Sequence, residues 1–92
     1  MTVRLDVALV SEQGVRFAVV AVKRHVLDSQ SEQQAVVSAV RAHLGRVPVV
    51  LMNQDSKGTP TYVGRRDLVR WLANSVFVEQ LPWRRMALRD AA

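Results

Sequence analysis

One strand that is apolar on both of its faces constrains the fold of this sequence more than any other feature. Over residues 15–26, Phe17 and Val19 alternate with Ala18 and Val20. The side chains of a strand point alternately to the two faces of a sheet, so both faces of this strand need cover from the rest of the chain. The pattern therefore predicts a strand at the centre of a sheet.

The other predicted elements complete a β-β-α-β-β-α order. Gly14 precedes the central strand and suits a hairpin loop, so the first strand runs antiparallel to the second. Apolar periodicity predicts the remaining elements, which are strands over residues 2–10, 47–52 and 59–63 and helices over residues 32–44 and 65–75. Pro60 restricts the fourth strand to an edge or to a strand start. Residues 76–85 are predicted to be extended and to add a last strand or a clasp.

The first helix has the clearest boundaries in the sequence. Ser29 and Glu32 have the spacing of a capping box, and Gly45 is placed to end the helix. Four apolar residues fall on one stripe of the helical wheel, and this stripe predicts the buried face: Val36, Val37, Val40 and Leu44.

These elements predict an α+β fold with two layers. Two helices packed on one face of a four- or five-stranded mixed sheet is the economical arrangement. Residues 1–85 would form a single domain, and residues 86–92 a flexible tail. The second face of the sheet would then lack cover, so we predict that the protein forms a homodimer or another homo-oligomer.

Composition excludes several classes of protein. The 92-residue sequence has no cysteine, which excludes disulfides, thiol nucleophiles and cysteine zinc sites and suits a reducing compartment. Its apolar runs are far shorter than the roughly 20 residues of a membrane helix. The first residues include Asp6 and show no export signal. We therefore predict a cytoplasmic protein without a membrane span.

The positive charge is concentrated in the second half of the sequence. Residues 1–45 carry five basic and four acidic side chains, whereas residues 46–92 carry eight basic and four acidic ones. Eleven of the 13 basic residues are arginine, which favours planar, bidentate contacts to carboxylates or phosphates. The composition predicts an acidic partner, although solvation of the surface explains such charge equally well.

The first candidate site is at the start of the second helix. Gly64, Arg65 and Arg66 precede Arg70 by about one turn, and basic residues in a first turn oppose the helix dipole. Free backbone N–H groups beside these guanidiniums predict a site for a phosphate or carboxylate. The alternative is that Asp67, in the same turn, neutralises the arginines.

The second candidate site is near the end of the chain, where Trp83 is followed by Arg84 and Arg85. An aromatic ring among guanidiniums is typical of sites that bind single-stranded nucleic acid. Tyr62 is a second ring that could stack on a base. The alternative is that Trp83 fills a gap in the core or in a dimer contact.

Metal and catalytic chemistry have little support in the sequence. Asp55 and Lys57 have the spacing of the acidic-x-lysine element of metal-dependent nucleases, with Asp6 as a partner carboxylate, but they lie in a predicted turn. His25 and His43 have no evident third ligand for zinc. We predict no cofactor and no metal.

One segment resembles part of a known family. Residues 47–50, a turn at Gly58 and the helix over residues 67–72 resemble the strand-strand-helix segment of glutathione transferases and thioredoxin-like domains. The resemblance implies a cis peptide bond before Pro48. Gly64 and Arg65 stand where the transferases place an acidic residue and a serine. A hairpin replaces the strand-helix-strand unit that carries the active site of that family, so the resemblance stays local to this segment.

We therefore predict a small, basic, non-enzymatic interaction module that self-associates and binds a protein partner through its second half. The alternative is a nucleic-acid-binding protein, with five arginines on phosphates: Arg65, Arg66, Arg70, Arg84 and Arg85. A metal-dependent hydrolase is the second alternative.

Overall fold

A five-stranded mixed sheet with helices against both faces forms the fold. The computed structural model describes residues 2–12, 14–75 and 78–89. The elements in chain order are β1 (Thr2–Glu12), β2 (Val15–Ala21), α1 (Arg24–Leu27), α2 (Gln30–Leu44), β3 (Val49–Gln54), β4 (Pro60–Val63), α3 (Arg66–Ser75), a 3₁₀ turn (Val78–Gln80) and β5 (Trp83–Arg89).

The strands are arranged in the order β4-β3-β2-β1-β5. β1 pairs with β2 in an antiparallel hairpin, and Gly14 in its loop adopts a φ of 79°. β2 and β3 are parallel because α1 and α2 carry the chain back to the same end of the sheet. β4 and β5 pair antiparallel with β3 and β1 and form the two edges. The central position of β2 and the edge position of the strand that contains Pro60 are confirmed.

The two longer helices lie on opposite faces of the sheet. On one face, Leu68 and Leu72 of α3 pack on a buried cluster that includes Ala8, Val10, Phe17, Val19, Val50 and Met52. On the other face, Val40 of α2 packs on a second buried cluster that includes Val7, Ala18, Val20, Leu51 and Leu88. Both sides of β2 are thus buried by the chain itself.

This arrangement confirms the α+β class, the mixed sheet and the order of the elements, and it corrects the placement of the helices. We expected both helices on one face, whereas the structure places one on each face and has three layers. The crossover between the parallel strands puts α2 on one side, and the chain that leaves β4 puts α3 on the other. The uncovered sheet face that motivated the homodimer is therefore not present in the described part of the chain.

The boundaries of α2 follow the predicted caps. Ser29 Oγ accepts a hydrogen bond from the Glu32 backbone N–H at 3.3 Å, and Gly45 ends the helix with a φ of 89°. The predicted strand over residues 15–26 is too long, because β2 ends at Ala21 and the short helix α1 follows. Val26, in α1, packs against the same cluster as Val40, so its apolar side chain is used by a helix instead of a strand.

The end of the chain also differs from the prediction. β5 runs through Arg89, and Leu88 is only 1% exposed, so residues 86–89 belong to the sheet and not to a flexible tail. Val78–Gln80 forms a 3₁₀ turn where an extended segment was expected. Residues 76–77 and 90–92 lie outside the described residues.

Two further expectations concern Pro48 and the membrane. The peptide bond before Pro48 is trans, so the cis bond that the local resemblance to glutathione transferases implies is wrong. Over the residues described, each helix is too short or too polar to cross a lipid bilayer.

Candidate binding site at the β4 edge

The edge strand β4 and helix α3 together form an open cleft of about 530 Å³. β4 and the residue after it contribute Tyr62, Val63 and Gly64. α3 contributes Arg66, Val69, Arg70 and Ala73, whose spacing places them along one side of a helix. We call this the arginine cleft. It brings together four of the residues that the sequence indicated: Tyr62, Gly64, Arg66 and Arg70.

Gly64 sets the path of the chain between β4 and α3. A Cβ atom at this position would lie 3.1 Å from the backbone oxygen of Val49 and 3.2 Å from Cα of Val50. These contacts are tighter than ordinary packing, and both atoms belong to backbone that cannot move freely. Glycine therefore lets the chain pass closely over β3, and this passage places α3 beside the sheet edge.

Arg65 does not belong to the cleft, because it is held by Asp67. Its Nε and Nη2 atoms donate hydrogen bonds of 2.8 Å each to the two carboxylate oxygens of Asp67. This paired hydrogen bond raises the pKa of Arg65 and lowers the pKa of Asp67. Asp67 thus neutralises one of the arginines, as the alternative interpretation of the sequence stated, but only one.

Arg66 and Arg70 keep their charges available. Both side chains are exposed, and neither forms an ion pair with a carboxylate of residues 2–12, 14–75 or 78–89. The cleft between them has an apolar floor of Val69 and Ala73. Two unpaired guanidiniums on an apolar floor can bind a ligand that carries both carboxylates and aliphatic groups.

Tyr62 contributes its ring, while its hydroxyl lies inward. The Tyr62 hydroxyl oxygen is buried and has no hydrogen-bond partner among the residues that the structure describes. Burial, and secondly the negative charge of Glu79, raise the pKa of Tyr62 above 10.0. The phenol is therefore neutral at physiological pH and closes one wall of the cleft.

A second cleft, of about 330 Å³, lies on the opposite face of the same sheet edge. Its α2 side is formed by Gln30, Gln33, Gln34, Val37 and Ser38. Its sheet side is formed by Val49, Leu51, Val63 and Gly64, so that Val63 and Gly64 border both clefts. We call this the glutamine cleft. Sequence reasoning missed it, because glutamines opposite the apolar stripe of a helix normally face solvent.

The remaining predicted basic residues are at the far edge of the sheet. Arg84 and Arg85 are on β5, and four strand spacings of about 4.8 Å separate β5 from β4. Arg84 borders an apolar hollow with Leu9 and Met86, whereas Arg85 contacts Asp6 at 3.3 Å on the other face. The structure therefore does not join these arginines to Arg66 and Arg70 in one surface.

Trp83 has a structural role in the core, which the sequence analysis gave as the alternative to stacking on nucleic acid. Its Nε1–H donates a hydrogen bond of 2.7 Å to the backbone oxygen of Val78. Its ring packs against the cluster under α3. The indole thus fastens the 3₁₀ turn to the start of β5.

The proposed metal and histidine residues are not brought together. Asp55 Oδ1 accepts hydrogen bonds from the backbone N–H groups of Lys57 and Thr59, at 2.8 and 2.9 Å, and so closes its own turn. Asp6 is on β1, and β2 lies between β1 and β3. Within the described ranges, no group of three His, Asp or Glu side chains is arranged to hold a metal ion.

His25 and His43 are both exposed, and they belong to α1 and α2, which cover the same face of the sheet. His25 Nε2 lies 3.8 Å from a carboxylate oxygen of Glu32, and His43 is in the last turn of α2.

No protein-family model, curated protein or solved structure matches this chain.

Proposed function

We propose that this protein is a binding module that holds an acidic segment of a partner protein in the arginine cleft. The observation that supports this proposal is the pair Arg66 and Arg70, which are exposed above an apolar floor and form no ion pair with a carboxylate that the structure describes. A carboxylate of the partner would gain a charge-assisted, bidentate hydrogen bond, and aliphatic groups next to it would cover Val69 and Ala73.

Binding fits this cleft better than catalysis does. Its charged groups are guanidiniums, which stay protonated at every physiological pH and so transfer no protons. Its phenol is kept neutral, because burial raises the pKa of Tyr62. The cleft therefore supplies positive charge and shape, which are the requirements of recognition.

A protein partner fits the distribution of charge better than a nucleic acid does. A nucleic-acid strand is held by many phosphate contacts, whereas the arginine cleft offers two guanidiniums. Arg84 and Arg85 would have to extend the surface, but they lie about 19 Å away across the sheet and on alternate faces of β5. The Trp83 N–H is also already engaged by Val78.

The remaining parts of this proposal concern location and assembly. We propose that the protein acts in the cytoplasm, and the absence of cysteine from the sequence suits such a reducing compartment. Self-association stays a prediction, and it no longer has the support of an uncovered sheet face, since α2 and α3 cover one face each.

The test is a fluorescence-anisotropy titration with a fluorescein-labelled peptide of about eight residues, in which glutamate alternates with valine. We expect saturable binding at low salt that weakens at least about tenfold in Arg66→Glu/Arg70→Glu, which corresponds to about 1.4 kcal/mol. The matched control is Arg41→Glu/Arg84→Glu, because it makes the same charge change at exposed residues outside the cleft. It should bind within about twofold of the unmodified protein.

Three results would overturn the proposal. The first is no binding of the peptide to the unmodified protein at low salt. The second is an equal loss in both double variants, which would show attraction to net charge without a site. The third uses a labelled single-stranded DNA that carries the same charge as the peptide. If the protein binds this DNA more tightly than the peptide, and Arg84→Glu weakens the binding of the DNA, the nucleic-acid alternative is favoured.

A further inference from the structure

β4 forms one edge of the sheet, and α3 follows it in the chain. β4 is the last strand of the sheet and pairs only with β3 among the described strands. The outer side of an edge strand presents backbone N–H and C=O groups that a further strand can pair with. Many recognition domains bind an extended peptide in this way, with backbone hydrogen bonds for affinity and side-chain pockets for specificity.

The two clefts flank this same edge, one on each face of the sheet. Tyr62 belongs to the face under α3, whereas Val63 packs against the cluster under α2. The arginine cleft opens on the first face, the glutamine cleft opens on the second, and Gly64 borders both. A strand added to β4 would point successive side chains to opposite faces, so it would fill the two clefts alternately.

We propose that the partner segment binds as an additional strand along β4, with acidic side chains in the arginine cleft alternating with aliphatic side chains in the glutamine cleft. This inference rests on the proposed function and adds the conformation and sequence pattern of the partner. Arg66 and Arg70 select carboxylates on one face. On the other face, Val37, Val49 and Leu51 form an apolar surface that suits branched aliphatic groups.

The charge of the cleft argues for a different protein over a second copy of this chain. Pairing of β4 with β4 of another copy would bring Arg66 and Arg70 of the two copies towards each other, and like charges across a strand pair are destabilising. Pro60 has no backbone N–H, so β4 offers one donor fewer to any partner strand, and a second copy would bring a second proline with the same loss. An acidic strand avoids both the repulsion and the second proline.

Backbone methylation of the peptide tests the added strand. Along one edge of a strand, only every second N–H faces the neighbouring strand. We use two forms of the labelled peptide of alternating glutamate and valine. One form carries an N-methyl group on the backbone nitrogen of every valine, and the other carries one on the backbone nitrogen of every glutamate. We expect one form to lose at least about tenfold in affinity and the other to bind as the unmethylated peptide does.

A charge exchange tests the alternation between the clefts. Replacing the valines of the peptide by glutamate should weaken binding to the unmodified protein, because it puts carboxylates against the apolar surface of Val37, Val49 and Leu51. Gln34→Arg should restore that binding, since Gln34 is exposed on α2 at the glutamine cleft. The control is Arg41→Gln/Gln34→Arg, which keeps the net charge of the unmodified protein and should restore binding equally.

The outcomes separate the two proposals. Equal binding of both methylated peptides, with the dependence on Arg66 and Arg70 retained, would overturn the added strand and leave the proposed function intact. The added strand would be overturned equally by a failure of Gln34→Arg to restore binding. Both proposals would be overturned if the unmethylated peptide did not bind, or if it bound equally well to the Arg66→Glu/Arg70→Glu variant.

Discussion

The separation of the two helices by the sheet predicts how core substitutions on α2 and α3 combine. Leu72 of α3 and Val40 of α2 are both 0% exposed and belong to different clusters. The sheet lies between the two side chains and their clusters share no residue, so the two substitutions remove no common contact and should not couple directly. We expect the effects of Leu72→Ala and Val40→Ala on the free energy of unfolding to add.

The magnitudes follow from the atoms removed. Leu→Ala at a fully buried site costs about 3 kcal/mol, counting the cavity that remains. Val→Ala removes two carbons, worth about 1.6 kcal/mol of transfer free energy, and the cavity raises this to about 2 kcal/mol. The double variant should therefore lose about 5 kcal/mol, within about 0.5 kcal/mol of the sum. A domain of this size has a free energy of unfolding of roughly 5–14 kcal/mol. A loss of about 5 kcal/mol would therefore bring the double variant close to unfolding.

Urea unfolding followed by far-ultraviolet circular dichroism measures these free energies. All variants should be measured in the same concentration of sucrose, which stabilises folded states and keeps the double variant folded in the absence of urea. The control pair is Leu72→Ala with Val50→Ala, because Val50 is 0% exposed and belongs to the same cluster as Leu72. We expect this pair to deviate from additivity by at least about 0.5 kcal/mol. A coupling above about 1 kcal/mol between Leu72 and Val40 would refute the separation, because it would require both helices on one face.

Three further predictions concern the β4 edge. Gly64→Ala should destabilise the fold by about 1–3 kcal/mol in urea unfolding, because its Cβ atom would press on Val49 O at 3.1 Å; an unchanged midpoint would contradict this. Tyr62→Phe should leave thermal stability equal or higher, since it removes a buried hydroxyl that has no partner among the described residues, and a clear loss would show that the hydroxyl is satisfied. Asp67→Asn should be less stable than the unmodified protein at pH 7, because Arg65 lowers the pKa of Asp67 in the folded state. That contribution is present above the unfolded carboxyl pKa of about 3.9 and is lost as the pH falls through the lower folded value, so a difference that persists once the folded carboxyl is protonated would have another cause.

The sequence predicted the elements of this fold better than their arrangement. The apolar residues on both sides of β2 showed that both faces are buried, but periodicity does not show what covers a face. A second copy and a second helix satisfy the same pattern equally well. Only the parallel pairing of β2 with β3 decides between them, and that pairing joins residues distant in sequence.

The candidate site was half predictable for a similar reason. Gly64, Arg66 and Arg70 are close in sequence, so helical spacing alone brings them together. The glutamine cleft joins residues of α2 to Val63 of β4, and no local pattern connects these elements. The last strand was expected within residues 76–85 instead of at Trp83–Arg89, because arginines occupy both faces of β5 and hide the alternation of a half-buried strand.

The position of β1 between its hairpin partner and the last strand has a consequence for the order of folding. The β1–β2 hairpin closes a short loop, whereas Asp6 and Arg85 of the β1–β5 pair are 79 residues apart in sequence. Closing a longer loop costs more chain entropy, and distant pairings slow folding. We therefore expect the hairpin to form early and β5 to dock last. A chain in which β5 has not docked would carry Val7 and Leu9 on a strand with one unpaired edge, and such an edge favours aggregation.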